Sequence, residues 1–254
     1  MNDPASPSAG SPPPARHRLK ILSYNVHSCI GTDRRLDPAR IAEVISALEP
    51  DVIGLQELDV GRSRTGGVDQ AHAIASLLEM GFHFHPALKV AEEKYGDAIL
   101  TALPARMVKG DGLPSTGEQR GAVWIEIEIG AKKVQVFNTH LGLMSGDRMQ
   151  QIGELLGPSW MGDPACHDNP RILIGDFNAI PLTATYKAIA RHLADAQRQP
   201  GGKPAATFPS RFPLLRIDHI FVSSEIKVVE TKVISTPLAR RASDHLPLLA
   251  TVEL

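Results

Sequence analysis

The segment RILIGDFNAIP, Arg171 to Pro181, passes in one step from an apolar run to an acid, an aromatic ring and an amide. Ile172, Leu173 and Ile174 form a short apolar run ending at Gly175, the pattern of a buried strand. Asp176 and Asn178 then stand just past its end, where a rigid element carries them out of the core.

The same arrangement recurs along the chain. Asn25 follows ILSY, Glu57 follows VIGLQ and His140 follows VFNT. Asp218 lies in RIDHIFV, and Asp244-His245 in ASDHLPL. One polar residue at a strand end is usually a turn former. A whole set drawn from oxygen ligands and acid–base side chains points to a shared site.

Working outward, Lys20–Val26 and Asp51–Gln56 read as strands. Asp37-Pro38 is a helix start, with Asp as cap and Pro in the first turn. Ile41, Val44, Ile45 and Leu48 then follow one helical face until Pro50. Leu58–Val68 reads as a loop. Asp69 is expected to cap a second helix with Ala73, Ile74, Leu77 and Leu78 inward. Short strands follow at Phe82–Pro86, Asp97–Thr101 and Arg106–Lys109. Ala122–Ile129 and Lys132–Thr139 alternate around Gly130-Ala131 as a hairpin. Helices are expected at Asp147–Leu156 and Thr185–His192, and closing strands at Ile217–Val222, Lys227–Ile234 and Leu248–Leu254. Strands outnumber helices, and their order is neither βαβα throughout nor all-β. The fold class is therefore α/β (α+β): two mixed sheets packed face to face with helices outside.

The 254 residues, 43% hydrophobic and 22% charged, suit a globular α/β protein. No apolar run approaches the ~20 residues of a membrane-spanning helix. Twenty-seven basic residues against 28 acidic ones give a formal net charge of −1, without the basic excess of a protein that coats duplex DNA. Cys29 and Cys166 are too few for a disulfide framework or a zinc site and read as reduced cytoplasmic thiols. Residues 1–18, rich in Pro, Ser and Ala and without a signal-peptide pattern, read as a disordered tail. Residues 19–254 read as a single domain.

Glu57, Asp176, Asp244, Asn25 and Asn178 supply hard oxygen donors, which suit Mg²⁺ or Mn²⁺. Histidines can serve as general acids or as donors to a developing negative charge. A carboxylate such as Asp218 beside a histidine would fix its tautomer and raise its pKa. Together these groups suggest phosphate-ester hydrolysis.

YNVH, LQELD, YGDAIL, RGAV, NTHLG, IGDFNAIP, RIDHIFVS and SDHLPL occur in the order and spacing of the endonuclease/exonuclease/phosphatase superfamily. From about Ile21 to the C-terminus the chain resembles these DNase I-like, metal-dependent phosphoesterases. The resemblance implies a four-layered sandwich. It implies Glu57 as principal metal ligand, assisted by Asn25, with Asp244 in reach of the metal. Asp176 would orient or deprotonate the attacking water, with Asn178 on the phosphate. His245 would contact the scissile phosphate with Asp218 as its partner, and His140 would be a second phosphate-facing histidine. Arg120, in QRGAV, matches an arginine that approaches phosphate in some members.

His140 stands where abasic-site endonucleases of this superfamily usually carry Tyr, and FPLLRID lacks their preceding Trp. Both differences argue against that branch. In DNase I a glutamate backs the residue matching His140; Asp97 is the nearest acidic candidate here, binding substrate being the equal alternative for it. No inositol-phosphatase or sphingomyelinase insert is evident. Nuclease-like phosphodiester hydrolysis is therefore expected, the alternative substrate being a small or lipid phosphoester. A catalytically dead binding module is disfavoured because every expected position is filled. No obligate protein partner is implied, and a monomer is expected. Elsewhere, His83 and His85 read as surface strand residues, a second metal site being the competing reading. His27 can share the cleft with Asn25, while His219 should point away from it. Tyr95 and Trp124 read as core. Arg62 and Arg64 read as a solvated loop, although a loop directly after a metal ligand can also bind phosphate.

Overall fold

The computed structural model describes residues 17–254. Residues 1–16, most of the expected tail, lie outside the described residues, and Arg18 already belongs to the first strand. In chain order the strands are β1 (Arg18–Asn25), β2 (Val52–Val60), β3 (Gly81–Val90), β4 (Glu93–Thr101), β5 (Ala105–Leu113), β6 (Arg120–Ile129), β7 (Lys132–His140), β8 (Arg171–Asp176), β9 (Ala194–Asp195), β10 (Asp218–Val222), β11 (Lys227–Val233) and β12 (Leu248–Glu253). The helices are α1 (Pro38–Ser46), α2 (Gln70–Leu77), α3 (Ser145–Leu155), α4 (Ala184–Ile189) and α5 (Pro237–Ala242). Among the described residues no helix is long and apolar enough to cross a membrane.

Two six-stranded mixed sheets form, in the orders β11-β12-β1-β2-β4-β3 and β5-β6-β7-β8-β10-β9. Each holds one parallel pair at its centre, β1 with β2 and β7 with β8. Leu19, Ile21, Val52 and Ile99 of the first sheet face Val123, Ile125, Val136, Ile172, Ile174 and Ile220 of the second. The first sheet's other face packs on α1, α2 and α5 through Leu22, Tyr24, Ile41, Ile45, Ile74 and Ala239. The second sheet's other face buries Trp124, Phe137, Leu173 and Phe221 against Ile152 of α3, Tyr186 and Ile189 of α4, and Trp160. The result is the four-layered α/β sandwich, helices outside and sheets inside. The expected caps form: Asp37 accepts from the Arg40 amide and Asp69 from the His72 amide, each at 2.9 Å.

Polar side chains also join the sheets in their interior. Asn138 of β7 donates to the carbonyls of Leu55 and Ala98, both at 2.8 Å, and accepts from the Gln56 side chain at 2.7 Å. Gly54 lies beside it; a Cβ there would meet Ile174 at 2.7 Å and Asn138 at 2.9 Å. Two expectations need correction. Leu77, at the last turn of α2, is exposed, and the buried face is Ala71, Ile74 and Ala75. β2 does not end before Leu58 but runs through a bulge to Val60. Cys29 and Cys166 are buried free thiols.

Candidate active site

Both central parallel pairs end at the same edge of the sandwich. β1 ends at Asn25, and Glu57 follows Gln56, the β2 partner of Asn25. In the second sheet His140 pairs with Asp176 and Asp176 with Asp218, so three strands place three of the expected site residues in a row. Gly175 makes this row possible, since a Cβ there would collide with the Thr139 carbonyl. Glu57 sits in the bulge with φ of 63°, and Asn178 has φ of 47°. For Glu57 this conformation stores backbone strain, held by the surrounding sheet, whereas asparagine adopts it readily.

Asn25 ties the two sheets together. Its Nδ2 donates to Glu57 Oε1 at 2.9 Å and to Asp176 Oδ2 at 3.0 Å. Its Oδ1 accepts from the His27 backbone amide at 3.0 Å. The Asn25 side chain thus bridges two carboxylates. Asp176 Oδ1 accepts from the Asn178 amide at 2.9 Å. Its other oxygen lies 3.5 Å from His140 Nε2 and 3.6 Å from His245 Nε2.

The two imidazoles are set differently. Burial, with the Arg120 guanidinium beside the ring, pushes the His140 pKa down to about 3. Arg120 Nη1 lies 3.1 Å from His140 Nδ1. A guanidinium only donates, so the proton of the neutral ring is placed on Nε2, where Asp176 Oδ2 at 3.5 Å is the acceptor. His245 is equally buried, and burial alone would lower its pKa. The Asp218 and Asp176 carboxylates outweigh that and raise it to about 10. Its Nδ1 donates to Asp218 Oδ2 at 2.9 Å, and Thr207 donates to the same oxygen. The expected Asp218–His245 pair is therefore in place. Asp176, buried and repelled by Asp218, is raised well above the carboxylate range. Burial would also raise Glu57, but hydrogen bonds from His27 and Asn25 hold it low.

These groups open onto a cleft of about 470 Å³ whose walls include Glu57, Arg64, Arg120, His140, Asp176 and His245. Two compact donor groups form within it, Glu57–His140–Asp176 and Asp176–Asp218–His245, each with ligand atoms within 4.8 Å of one another. Asp244 belongs to neither and faces His27 Nδ1 at 3.7 Å, while Glu57 lies 3.5 Å from the same atom. His27 thus does enter the cleft, between two acids. Its pKa is raised, chiefly by Glu57.

Asp97 does not reach the His140 ring. Burial lifts it to about 7, while Arg120 and the backbone amides of Glu57 and His140 favour its ionised form. Arg64, read from sequence as a solvated loop residue, is anchored by Asp59 at 2.7 Å through two nitrogens and lines the cleft. Tyr95, buried as expected, also forms cleft wall, with the Arg64 guanidinium 5.4 Å from its ring centre. Trp124 is core, stacked on Phe137. His219 points away, its Nε2–H donating to the Ala179 carbonyl at 2.9 Å. His83 and His85 are half-buried on β3 and join no group of three metal donors among the described residues.

Fold, register and site agree with one class, the DNase I-like phosphoesterases. The model of the endonuclease/exonuclease/phosphatase family matches residues 22–245, and the chain belongs to that family. It is 27% identical over 251 residues to YbhP of Escherichia coli K12, an uncharacterized protein, covering 93% of this chain and 96% of that one. An endonuclease/exonuclease/phosphatase structure from Beutenbergia cavernae superposes with a TM-score of 0.74 at 24% identity, covering 93% of this chain and 72% of that one. The mannosyl-6-phosphatase Bt3783 of Bacteroides thetaiotaomicron gives 0.72 at 20% identity, covering 92% and 99%.

Proposed function

We propose that the chain hydrolyses a phosphodiester by divalent-metal-dependent attack of water at phosphorus. The observation that supports this best is the convergence of two acid–imidazole groups on Asp176. The donor chemistry fits Mg²⁺ or Mn²⁺: Glu57, Asp176, Asp218 and Asp244 gather negative charge around a cleft whose wall arginines are Arg64 and Arg120. Glu57 would hold the ion, with Asp244 nearby; Asn25, whose oxygen takes the His27 amide, would orient Glu57 through its Nδ2. When bound, such an ion neutralises charge on the phosphate oxygens.

The chain's own groups divide the remaining work. Asp176, with its raised pKa, orients the attacking water and takes its proton. His245 presents a charged Nε2–H toward the phosphate, and His140 presents a neutral one. Both donate as negative charge builds on the phosphate oxygens. Arg120 and Asn178 fix the phosphate and the His140 ring.

The cleft supports a compact substrate over a long polynucleotide. Arg64 is paired with Asp59, and Arg120 with Glu118 at 2.7 Å, so neither is a free cation in an extended basic groove. The likeness to a sugar phosphatase points the same way. The test is hydrolysis of bis-p-nitrophenyl phosphate, a phosphomonoester and plasmid DNA with Mg²⁺, Mn²⁺ or EDTA. Turnover of the small diester with metal and none in EDTA is expected. Full activity in chelator would overturn the metal requirement; plasmid cleavage outpacing every small ester would overturn the compact substrate.

A further inference from the structure

The strands that align His140, Asp176 and Asp218 also carry the loops around the cleft mouth: 141–144 after β7, 177–183 after β8 and 208–217 before β10. Because the three residues are register partners, these loops leave the second sheet side by side. Leu143 is 73% exposed, Leu182 77%, Phe212 78% and Leu214 80%, and these are the large apolar side chains more than 70% exposed among the described residues. Met144 and Leu215 lie in the same loops, and each loop reaches the cleft, through Leu143, through Asn178 and through Phe208 and Ile217. Single exposed apolar residues are ordinary, but their concentration around one cleft marks an interaction surface.

Charge narrows the partner. None of the three loops contains Asp or Glu. Arg216 is buried against Asp195, whereas Arg211 is exposed. Arg211 donates to the Thr32 carbonyl, and Arg240 supports the same loop through the Ser210 and Arg211 carbonyls, both at 2.8 Å. Apolar loops that are backed by arginines and carry no carboxylate of their own suit a surface that is anionic outside and apolar within. A nucleic-acid backbone would leave the aliphatic side chains without an apolar partner.

We propose that loops 141–144, 177–183 and 208–217 seat the protein on an anionic lipid surface, presenting headgroup phosphoesters to the cleft. This rests on the hydrolase reading for what the cleft does, but the seating itself is measured without catalysis. The full chain is floated with vesicles of phosphatidylcholine mixed with phosphatidylglycerol, and with pure phosphatidylcholine vesicles. Binding to the mixed vesicles is expected, weaker on the neutral ones. Changing Phe212→Ser with Leu214→Ser should lower binding by about tenfold or more. The same variant should keep its melting temperature and its turnover of bis-p-nitrophenyl phosphate. Wild-type protein that floats with neither vesicle, or a double variant that floats equally well, overturns the proposal. So does a dimer in solution that the double variant dissociates, because a second copy would then occupy these loops. Flotation without turnover of the soluble diester would defeat the hydrolase reading while supporting the seating; turnover without flotation would do the reverse.

Discussion

His245 and His140 share one cleft and one degree of burial, yet their neighbours give them opposite charge. Two carboxylates hold His245 protonated to about pH 10, whereas Arg120 and burial keep His140 neutral. A charged donor strengthens as charge develops on phosphate, so His245 should act on the chemical step. His245→Ala should lower kcat by about 10²-fold or more with little change in KM. Asp218→Asn should cost less and move the alkaline fall in activity down toward the ordinary histidine range. The linkage sign agrees: a pKa raised in the folded state gives stability that is fully present below about 6.5 and is lost as pH rises through about 10. If the pair served only to hold the closing strands, His245→Ala would lower the melting temperature and leave kcat near normal. Both quantities measured on one preparation decide between these roles.

At the scale of elements, the Asn138 side chain fastens the two sheets, and the absence of a Cβ at Gly54 lets them close on it. Asn138→Leu strands two buried carbonyls and the Gln56 amide, which should cost about 3–5 kcal/mol. Gly54→Ala should cost about 1–3 kcal/mol through overpacking. For a chain of this size each kcal/mol lowers the melting temperature by about 2–4 °C. A fall of less than a degree in both variants would show that the sheets do not depend on this contact. Neither residue stood out in the sequence, because a polar side chain spanning two sheets has no local period. The strand ends did stand out, since an apolar run stopping at an acid or amide is a local signal. The bulge at Glu57 hid the rest of β2: one extra residue shifts the two-residue alternation, so LQELD reads as strand then loop. The six-residue α5 is too short to show a period, although its Thr236 cap and Pro237 were there to read. Arg64 was weighed as a loop residue because its anchor, Asp59, lies beyond the expected end of that strand.

For the molecule as a whole, the cleft collects acids at the edge where the two sheets meet. Asp176 bears the main cost, since burial and Asp218 both disfavour its charge. A carboxyl whose pKa is raised on folding loses stability as pH rises from its unfolded value, and the full penalty remains above the folded one. At pH 8 without metal, Asp176→Asn should therefore melt no lower than wild type, and the difference should shrink at pH 5. The same substitution should reduce kcat by about 10²-fold or more if, as proposed, Asp176 acts on the water. Mn²⁺ should raise the wild-type melting temperature, since an ion bound only by the folded state stabilises it by mass action, about 2.7 kcal/mol at a hundredfold excess over Kd. Asp176→Asn and Glu57→Gln should each blunt that rise. A metal-free Asp176→Asn protein melting several degrees below wild type at pH 8 would show that its charge stabilises the fold. The carboxylate cluster would then be structural, and the exchange of stability for activity would not hold.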